Sequence, residues 1–404
     1  MKILLLCWRD TGHPEGGGSE RYLERVAGYL ADQGHTVVFR TANYPGAPAL
    51  SRRDGVTFSR AGGNFSVYVR SWTAMLGARF GVGPIAKVLG GKPDVVVDTQ
   101  NGVPFFARIF SGAPTVLLTH HCHREQWPVA GPIISKLGWF IESRLSPMIH
   151  RRCRYITVSE PSAAELVELG VSPGRIAVIR NGVDPIPEEL QSTEIMADLS
   201  ECDGPAPHLV TLSRLVPHKQ IEHAIDVLAD LVQDRPGAIL DVIGSGWWHD
   251  NLVEYARDKG VSDHVVFHGQ VTEADRHRIL SKACLHLMPS RKEGWGLAVI
   301  ESAQHGVPTV GYRSSAGLRD SVNDGETGLL ASDEADLITK TRQILDNGEL
   351  HRAMSKACVA RAAEFGWDKT GEAVLNVLEN PTLDKLLPAS RQRVQIPKAV
   401  HAAA

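Results

Sequence analysis

ILLLCWRDTGHPEGGGSERYLERVAGYLADQG, residues 3–34, contains a strand, a glycine-rich turn and a helix in that order. The apolar run at residues 3–8 is typical of a buried strand. After the glycines, apolar residues recur at the spacing of one helix face, at Leu23, Val26, Ala27 and Leu30. Gly34 then supplies a helix stop. A strand that leads through a tight turn into a helix is the repeating unit of an α/β fold.

The same alternation continues along the chain. Further buried strands are predicted at residues 36–39, 94–97, 115–119, 155–158 and 177–179. A polar, proline-containing linker follows near residues 185–207. Beyond it the pattern restarts, with strands predicted at residues 208–212, 239–243, 265–268, 285–288 and 308–311. This rhythm favours parallel sheets that helices cover on both faces.

We therefore predict two doubly wound, Rossmann-like α/β domains that face each other across a cleft, where the ligands of such sheets bind. The first domain is expected at residues 1–185 and the second at residues 186–366. A helix at about residues 367–380 is expected to pack back on the first domain, and residues 381–404 to form a surface tail.

Composition limits the class of protein. The 404-residue chain has 43 Lys and Arg against 46 Asp and Glu, a net charge of −3, which argues against a nucleic-acid-binding protein. No apolar run reaches the ~18 residues that a membrane-spanning helix needs, so we expect a soluble, cytoplasmic protein. The six cysteines form no C-x-x-C pair, and we expect reduced thiols in the cores rather than disulfides or zinc ligands.

Two short stretches carry the residue types of a phosphate site. Three glycines, residues 16–18, lie between the first strand and its helix, where backbone amides and the positive helix end favour an anion. A purely structural turn explains these glycines equally well. L-S-R-L-V-P-H-K, residues 212–219, places Arg214 and Lys219 just after a strand of the second domain. These two cations would clamp a diphosphate, and a solvated basic loop is the alternative.

E-G-W-G-L-A-V-I-E, residues 293–301, combines two carboxylates with two glycines. We predict that Glu293 lies in the loop after a strand and that a helix begins near Gly296. The amides beside Gly294 and Gly296 would then face an anion, and Glu301, about a turn further on, would accept hydrogen bonds from hydroxyl groups. This arrangement fits a polyol attached to a phosphate better than it fits two ordinary surface glutamates.

Taken in order, these motifs resemble the retaining glycosyltransferases of GT-B fold, family 4. The resemblance spans most of the chain. It rests on G-G-S-E-R-Y-L (17–23), V-I-R-N-G-V-D (178–184), S-R-L-V-P-H-K (213–219), V-I-G-S-G (242–246), P-S-R-K-E-G-W-G-L-A-V-I-E (289–301) and D-G-E-T-G-L-L (324–330). The resemblance implies the GT-B arrangement of two facing Rossmann-like domains.

The resemblance also implies a role for each matching residue. Glu293 would contact hydroxyl groups of the transferred sugar, and Glu301 would bind the ribose of the nucleotide. Arg214 and Lys219 would clamp the diphosphate. Backbone amides of two loops would help them, at Gly17, Gly18, Gly294, Trp295, Gly296 and Leu297.

A histidine near the reacting sugar is a further feature that the resemblance implies. It falls on His120, with His121 as the alternative, and the sequence does not separate the two. The chain also departs from the family pattern, because Ser213 and Gln220 stand where glycines are common and Trp295 replaces the usual phenylalanine. These departures affect backbone detail of the phosphate loop and leave its two charges in place.

The resemblance implies an enzyme that transfers a hexose, with retention of configuration, from a UDP- or GDP-sugar to a lipid, glycan or small-molecule acceptor. We expect no cofactor and no metal ion, because Arg214 and Lys219 would supply the positive charge and no D-x-D motif lies in a plausible donor loop. Front-face attack without a covalent enzyme nucleophile is the expected mechanism. The alternatives are a catalytically silent sugar-nucleotide-binding or scaffold protein and a sugar-nucleotide epimerase of the same fold.

Two stretches, residues 72–89 and 133–154, mix apolar and aromatic residues, and the second ends in a basic cluster of Arg151, Arg152 and Arg154. A helix that contacts the inner face of a membrane peripherally has this pattern, and so has a core helix with a solvated basic end. H-H-C-H, residues 120–123, is too compact for a tetrahedral metal site, and we interpret it as acceptor-site or structural histidines.

Overall fold

The computed structural model describes residues 1–382 except residues 15, 125–126, 128–130, 189–201 and 203–205. Most of the predicted linker and nearly all of the predicted tail at residues 381–404 therefore lie outside the described residues.

Within the described part of the chain, the first sheet has eight strands: β1 (Lys2–Leu6), β2 (Thr36–Thr41), β3 (Leu50–Arg53), β4 (Val56–Arg60), β5 (Val95–Thr99), β6 (Thr115–Leu118), β7 (Arg154–Thr157) and β8 (Ile176–Val178). Their order is β3-β4-β2-β1-β5-β6-β7-β8, and all neighbours are parallel except β3 and β4. The predicted strands are confirmed. The β3–β4 hairpin is not among the predicted strands, because the strands above are predicted from continuous apolar runs, whereas L-S-R-R is mostly polar and V-T-F-S-R only alternates apolar with polar residues.

The helices around this sheet are α1 (Gly18–Asp32), α2 (Ser66–Arg79), α3 (Gly83–Leu89), α4 (Ala107–Phe110), α5 (Pro132–Phe140), α6 (Ser146–Ile149) and α7 (Glu160–Glu168). A π-helical turn, Ile141–Leu145, joins α5 to α6. The predicted inner face of α1 is confirmed, since Leu23 and Val26 are 1% exposed and share a core with Ile3 of β1. Full burial of each such side chain contributes about 1.5–3 kcal/mol.

The second sheet, as far as the structure describes it, consists of β9 (His208–Leu212), β10 (Ile239–Ile243), β11 (Val265–Gly269), β12 (Leu285–Met288), β13 (Thr309–Tyr312) and β14 (Gly328–Ala331). The order is β11-β10-β9-β12-β13-β14 and every pairing is parallel. The five predicted strands are confirmed. The unpredicted β14 is a four-residue edge strand, G-L-L-A, that begins with a glycine and has only three apolar residues in a row.

The helices of this half are α8 (Ile221–Leu231), α9 (His249–Asp258), α10 (Glu273–Leu280), α11 (Leu297–Ala303), α12 (Ala316–Ser321), α13 (Glu334–Leu345), α14 (Gly348–Ala362) and α15 (Trp367–Glu379). The last helix crosses back to the first domain and packs on α1. At their contact a Cβ added to Gly371 would lie 2.3 Å from the Tyr29 ring, so only a glycine lets the two helices approach this closely.

The expectation of reduced cysteines is wrong for one pair. Cys202 and Cys284 form a disulfide whose Cα atoms are 5.4 Å apart and whose partners lie 82 residues apart in the chain. The sequence gives no spacing signal for this bond, because the fold alone brings the end of the linker against the residue before β12. The other four cysteines are free and buried, and burial raises the pKa of the Cys153 thiol to about 11.

Candidate active site

The loops that follow β6, β7 and β12 meet between the two domains. Ser159, after β7, donates a 2.6 Å hydrogen bond from Oγ to the carbonyl of Gly294 in the second domain. Ser162 donates a 2.8 Å bond to the carbonyl of His120, which follows β6. The carboxyl ends of strands from both sheets therefore face one another, as expected of ligand-binding edges.

The two glutamates of E-G-W-G-L-A-V-I-E, Glu293 and Glu301, lie in different secondary structure. Glu293 lies in the loop before α11, and Glu301 lies within α11. Gly296 adopts φ +93° as the residue before the helix, a conformation that favours glycine. A Cβ added to Gly317 of α12 would lie 2.5 Å from the Glu293 carbonyl, so that glycine lets α12 support the loop. The Trp295 ring is buried in the core, which leaves only its backbone for the cleft.

The two predicted clamp cations have different environments. Lys219 ends a 3₁₀ turn after β9, and its Nζ lies 2.5 Å from Glu293 Oε1. Both side chains are only about one-tenth exposed. Arg214 is exposed and forms no ion pair with any described residue. The structure therefore brings Lys219 and Glu293 together and leaves the Arg214 guanidinium available to an anion.

Two glycines of V-I-G-S-G, Gly244 and Gly246, pack directly against the backbone on either side of Arg214. A Cβ on Gly244 would lie 1.9 Å from the Ser213 carbonyl, and one on Gly246 would lie 2.1 Å from the Leu215 carbonyl. Gln220, where the family pattern has glycine, keeps a left-handed backbone at φ +50°. This conformation costs a non-glycine residue roughly 1–2 kcal/mol. Gln220 therefore adopts a backbone conformation that a glycine would adopt more easily.

The glycine loop of the first domain is held by a carboxylate of α1. Glu20 Oε2 accepts hydrogen bonds from the Gly17 amide and from Ser19 Oγ, both at 2.9 Å. The buried Glu20 carboxylate thus already faces the positive end of α1, which begins at Gly18. A phosphate at this loop would have to share the Gly17 amide with Glu20 or displace it.

Both candidate histidines lie at the cleft. His120 is buried with its ring edge-on to Tyr22, and its Nε2 has no hydrogen-bond partner among the described residues. Burial lowers the pKa of His120 to about 4, so the ring is neutral at pH 7. His121 lies beside the Glu293 loop, since a Cβ on Gly294 would be 3.5 Å from its Nδ1. Burial, followed by the nearby positive charges, lowers the pKa of His121 as well.

Sequence reasoning missed Glu142, which lies in the π-helical turn after α5. Its buried carboxylate accepts a 3.0 Å hydrogen bond from the His123 amide and lies 3.1 Å from His123 Nδ1. The other oxygen accepts a 2.7 Å bond from Trp127 Nε1. Glu142 therefore ties the loop of H-H-C-H to α5. Irregular helical turns of this kind are frequent at functional sites.

A second residue that the sequence did not reveal is Glu165 of α7. One carboxylate oxygen accepts a 3.0 Å bond from the Cys122 amide, and the other accepts a 2.7 Å bond from Lys292 Nζ. Lys292 immediately precedes Glu293 and also donates to the Cys122 carbonyl at 3.3 Å. Glu165 thus joins the histidine loop of one domain to the Glu293 loop of the other. The only sequence signal was a lysine beside a candidate site residue.

Ion pairs also connect the domains beside Glu301. Arg276 Nη1 of α10 lies 3.3 Å from Glu301 Oε1. Arg21 of α1 pairs with Glu273 at 2.7 Å and with Asp184, the last residue of V-I-R-N-G-V-D. This network holds Glu301 in place from the second domain and connects that side of the cleft to α1.

Comparison with known proteins identifies the chain. The family model "Glycosyl transferases group 1" matches residues 198–360, and "Glycosyltransferase Family 4" matches residues 16–186. The chain belongs to glycosyltransferase family 4. The two matched ranges contain every residue proposed above for the donor site, and this glycosyltransferase is accordingly an enzyme of the transferase class.

Two curated relatives and one solved structure are similar over nearly the whole chain. A glycogen synthase of Mycobacterium tuberculosis is 27% identical over 93% of this chain and 94% of its own. A GDP-mannose-dependent alpha-(1-6)-phosphatidylinositol monomannoside mannosyltransferase of Mycolicibacterium smegmatis is 27% identical over 81% and 85%. The Anabaena protein Alr3699/HepE, solved with UDP and glucose, has a TM-score of 0.70 at 17% identity, over 94% of this chain and 99% of that one. This last likeness confirms the GT-B fold.

Two features are absent from the described residues. No helix there is long and apolar enough to cross a membrane. No group of three or more His, Cys, Asp and Glu side chains lies close enough together, among the same residues, to hold a metal ion.

The contact between Lys292 and Glu165 leads to a prediction for sugar transfer by this glycosyltransferase. Lys292→Ala and Glu165→Gln are each expected to lower kcat/KM, because either change loosens the Glu293 loop from the first domain. The single oxygen of the Glu165→Gln amide can still accept from the Cys122 amide, whereas the NH2 group in place of the other oxygen cannot accept from Lys292 Nζ. A double-mutant cycle in kcat/KM is expected to give a coupling of about 0.5–1.5 kcal/mol between the two changes.

The matched control is Lys340→Ala, which removes an ion pair with Asp336 on α13, outside the cleft. It is expected to leave kcat/KM unchanged. Purely additive effects of Lys292→Ala and Glu165→Gln would contradict the predicted coupling.

Proposed function

We propose that this enzyme is a retaining hexosyltransferase that uses a UDP- or GDP-sugar and acts on a lipid, glycan or small-molecule acceptor. The observation that carries the proposal is the pairing of Lys219 with Glu293 at 2.5 Å, where loops of both domains meet, on the segment after β9 that also carries the exposed Arg214. A cation pair and a carboxylate at one point of a cleft suit a diphosphate joined to a polyol.

Donor binding would rearrange this pair. The diphosphate would take the Lys219 ammonium and the Arg214 guanidinium, together with amides of residues 294–297, while the Glu301 carboxylate accepts hydrogen bonds from the ribose. Glu293, released from Lys219, would then accept hydrogen bonds from hydroxyl groups of the sugar. The site is therefore held together by an internal ion pair until the substrate replaces one of its partners.

In the transfer step, the bond between the anomeric carbon and the diphosphate oxygen breaks and a bond from that carbon to the acceptor oxygen forms on the same face. The acceptor hydroxyl proton passes to an oxygen of the departing diphosphate. Lys219, Arg214 and the loop amides stabilise the negative charge that develops on the diphosphate. Neither a metal ion nor another cofactor is needed in this scheme, and the neutral His120 would hydrogen-bond to a sugar hydroxyl.

The relatives support this range of donors and acceptors. One relative is named for GDP-mannose and a phosphatidylinositol mannoside, one is named a glycogen synthase, and a structural neighbour was solved with UDP and glucose. A lipid-linked acceptor would place the enzyme at a membrane, and peripheral contact of a cytoplasmic enzyme with the inner face of a membrane is part of the proposal.

A thermal-shift panel of UDP, GDP, ADP and their sugar conjugates tests the proposed donor site. We expect one base to raise the unfolding temperature and Arg214→Ala to reduce that shift, because the variant lacks a cation for the diphosphate. Arg257→Ala, which replaces an exposed arginine at the far end of α9, serves as the control and is expected to keep the full shift.

The alternatives predict other results. A rise in unfolding temperature with a nucleotide, without sugar transfer to any acceptor from a panel of lipids and glycans, would favour a silent binding protein. Conversion of the donor sugar to another sugar without an acceptor would favour an epimerase. No shift with any nucleotide would contradict the proposed donor site.

A further inference from the structure

Charge is distributed unevenly along the chain. Residues 61–154 contain eleven Lys and Arg and four Asp and Glu, a net charge of +7 in a chain whose total is −3. Two of the four acids, Asp98 and Glu142, are fully buried. Ten of the eleven cations are exposed, namely Arg70, Arg79, Lys87, Lys92, Arg108, Arg124, Lys136, Arg144, Arg151 and Arg152. The outer surface of this segment is therefore strongly positive.

Helix α5 adds an apolar stripe to this surface. Four of its large apolar side chains, Ile133, Ile134, Leu137 and Phe140, repeat at helical spacing and are between 53% and 81% exposed, whereas Trp139 is half-buried. Only Gly138 of this helix is buried, and it lies against the Trp127 ring. A helix that buries its one glycine and exposes four large apolar side chains has no partner for that face among the described residues.

Helix α2 presents a second stripe of the same kind. Its inner face is buried, while the outer apolar residues of the helix and its two ends are between 40% and 82% exposed: Phe65, Val69, Leu76 and Phe80. Tyr68 and Trp72 of α2 hydrogen-bond to the carbonyls of Val103 and Phe105. Trp127 lies against both Gly102 and Gly138, so α2 and α5 border the same loop after β5.

We propose that α2, α5 and the exposed cations that they and the following π-helical turn carry, Arg70, Arg79, Lys136 and Arg144, form one surface, termed here the basic apolar face, that docks on an anionic membrane surface. An interfacial helix inserts its apolar side chains just below the lipid headgroups while neighbouring cations pair with anionic lipids. The basic apolar face has both features. Residues 383–404 do not suit the basic apolar face as a partner, because both are positively charged. This segment has four cations, Lys385, Arg391, Arg393 and Lys398, and one acid, Asp384.

Docking would bring the active site to the lipid. Glu142 hydrogen-bonds to His123 and Trp127 and so connects α5 directly to the loop that carries His120. A lipid-linked hydroxyl presented beside α5 would thus reach the first-domain side of the cleft. This step rests on the proposed function, whereas the docking itself rests on the surface alone.

Sedimentation of the full chain with vesicles tests the docking. Vesicles of phosphatidylcholine and phosphatidylglycerol are expected to bind the protein at low ionic strength and to release it at high ionic strength, and pure phosphatidylcholine is expected to bind it weakly. Lys136→Glu with Arg144→Glu should weaken binding by more than about tenfold, since each cation contributes roughly fivefold. Ile133→Ser, Leu137→Ser and Phe140→Ser together should abolish it.

Matched controls lie on the second domain. Val266→Ser removes an exposed apolar side chain and Arg257→Glu reverses an exposed charge there, and both are expected to bind like the unchanged protein. The nucleotide thermal shift reports on the donor site independently. Vesicle binding without any nucleotide shift would leave the docking standing and contradict the proposed function.

Three outcomes would overturn the proposal. The first is no binding to anionic vesicles at low ionic strength. The second is binding that the α5 variants leave unchanged. The third is a dimer, measured by light scattering, that does not bind vesicles and becomes monomeric with the three serine substitutions. That result would assign the basic apolar face to contact with a second copy of the chain.

Discussion

Lys219→Ala is expected to lower kcat for sugar transfer by about 100- to 1000-fold, the range measured when one donor to a developing anion is removed. In the structure Lys219 pairs with Glu293, the carboxylate proposed to contact the sugar, in the proposed donor site. Its loss removes positive charge from the departing diphosphate and leaves a nearly buried carboxylate unpaired. Steady-state kinetics with a saturating donor measure the effect on kcat.

Lys282→Ala is the control, because Lys282 is exposed at the end of α10 and has no role in the cleft. Its kcat is expected to equal that of the unchanged enzyme. A Lys219→Ala enzyme that keeps kcat within a factor of about three, well under 1 kcal/mol, would remove Lys219 from the proposed mechanism.

Asp10→Ala is expected to reduce the free energy of unfolding by about 3–5 kcal/mol, the cost of removing one partner of a buried ion pair. Asp10 follows β1, is 1% exposed and pairs with Arg60 Nε at 2.6 Å. Its other oxygen accepts a 2.9 Å bond from the Gly12 amide. The substitution would leave the Arg60 guanidinium in the interior without its carboxylate. Chemical denaturation followed by circular dichroism measures the loss.

Two further variants define this effect. Asp10→Asn keeps an oxygen for the Gly12 amide and is expected to cost less than Asp10→Ala. Glu364→Ala removes the exposed pair with Arg361 and should change stability by less than about 1 kcal/mol. Equal losses for Asp10→Ala and Glu364→Ala would show that burial does not set the strength of the Asp10 pair.

Asp10→Ala and Lys219→Ala act on different parts of the enzyme. Asp10 holds the start of the loop that leads to residues 16–18, so Asp10→Ala is expected to affect this loop and the stability of the first domain together. Lys219 lies in the second domain on a turn that backbone hydrogen bonds close. The turn therefore does not depend on the ion pair between Lys219 and Glu293. Replacement of Lys219 should leave the turn in place, so that the loss of kcat reports on the missing cation and the unpaired Glu293 carboxylate.

Strand and helix positions were predictable where burial leaves a local signature. Parallel strands covered on both faces are continuous apolar runs, and β9, β10 and β12 match their predicted limits residue for residue. The β3–β4 hairpin and β14 lie at sheet edges and lack a long apolar run, since β3 is mostly exposed and polar and β14 has only three apolar residues after a glycine. The Cys202–Cys284 bond left no trace in the spacing of cysteines.

The candidate site divides in the same way. Motif order predicted Arg214, Lys219, Glu293 and Glu301 as site residues, because they match the family motifs at the same places along the chain. It gave no indication of Glu142 or Glu165, whose importance comes from partners distant in the sequence. A single carboxylate in a helix has the same local pattern whether it faces solvent or organises an active-site loop.

The sequence alone determined the two α/β domains and the family, and it supplied the residues of the proposed donor site, because apolar periodicity and ordered motifs are local properties of the chain. The tertiary structure decided which charges meet. Lys219 reaches Glu293 across 74 residues, and Lys292 reaches Glu165 of the other domain across 127. Such pairs depend on how two sheets and their loops pack in space, since the energy of an ion pair changes with distance and burial and neither can be read from sequence spacing.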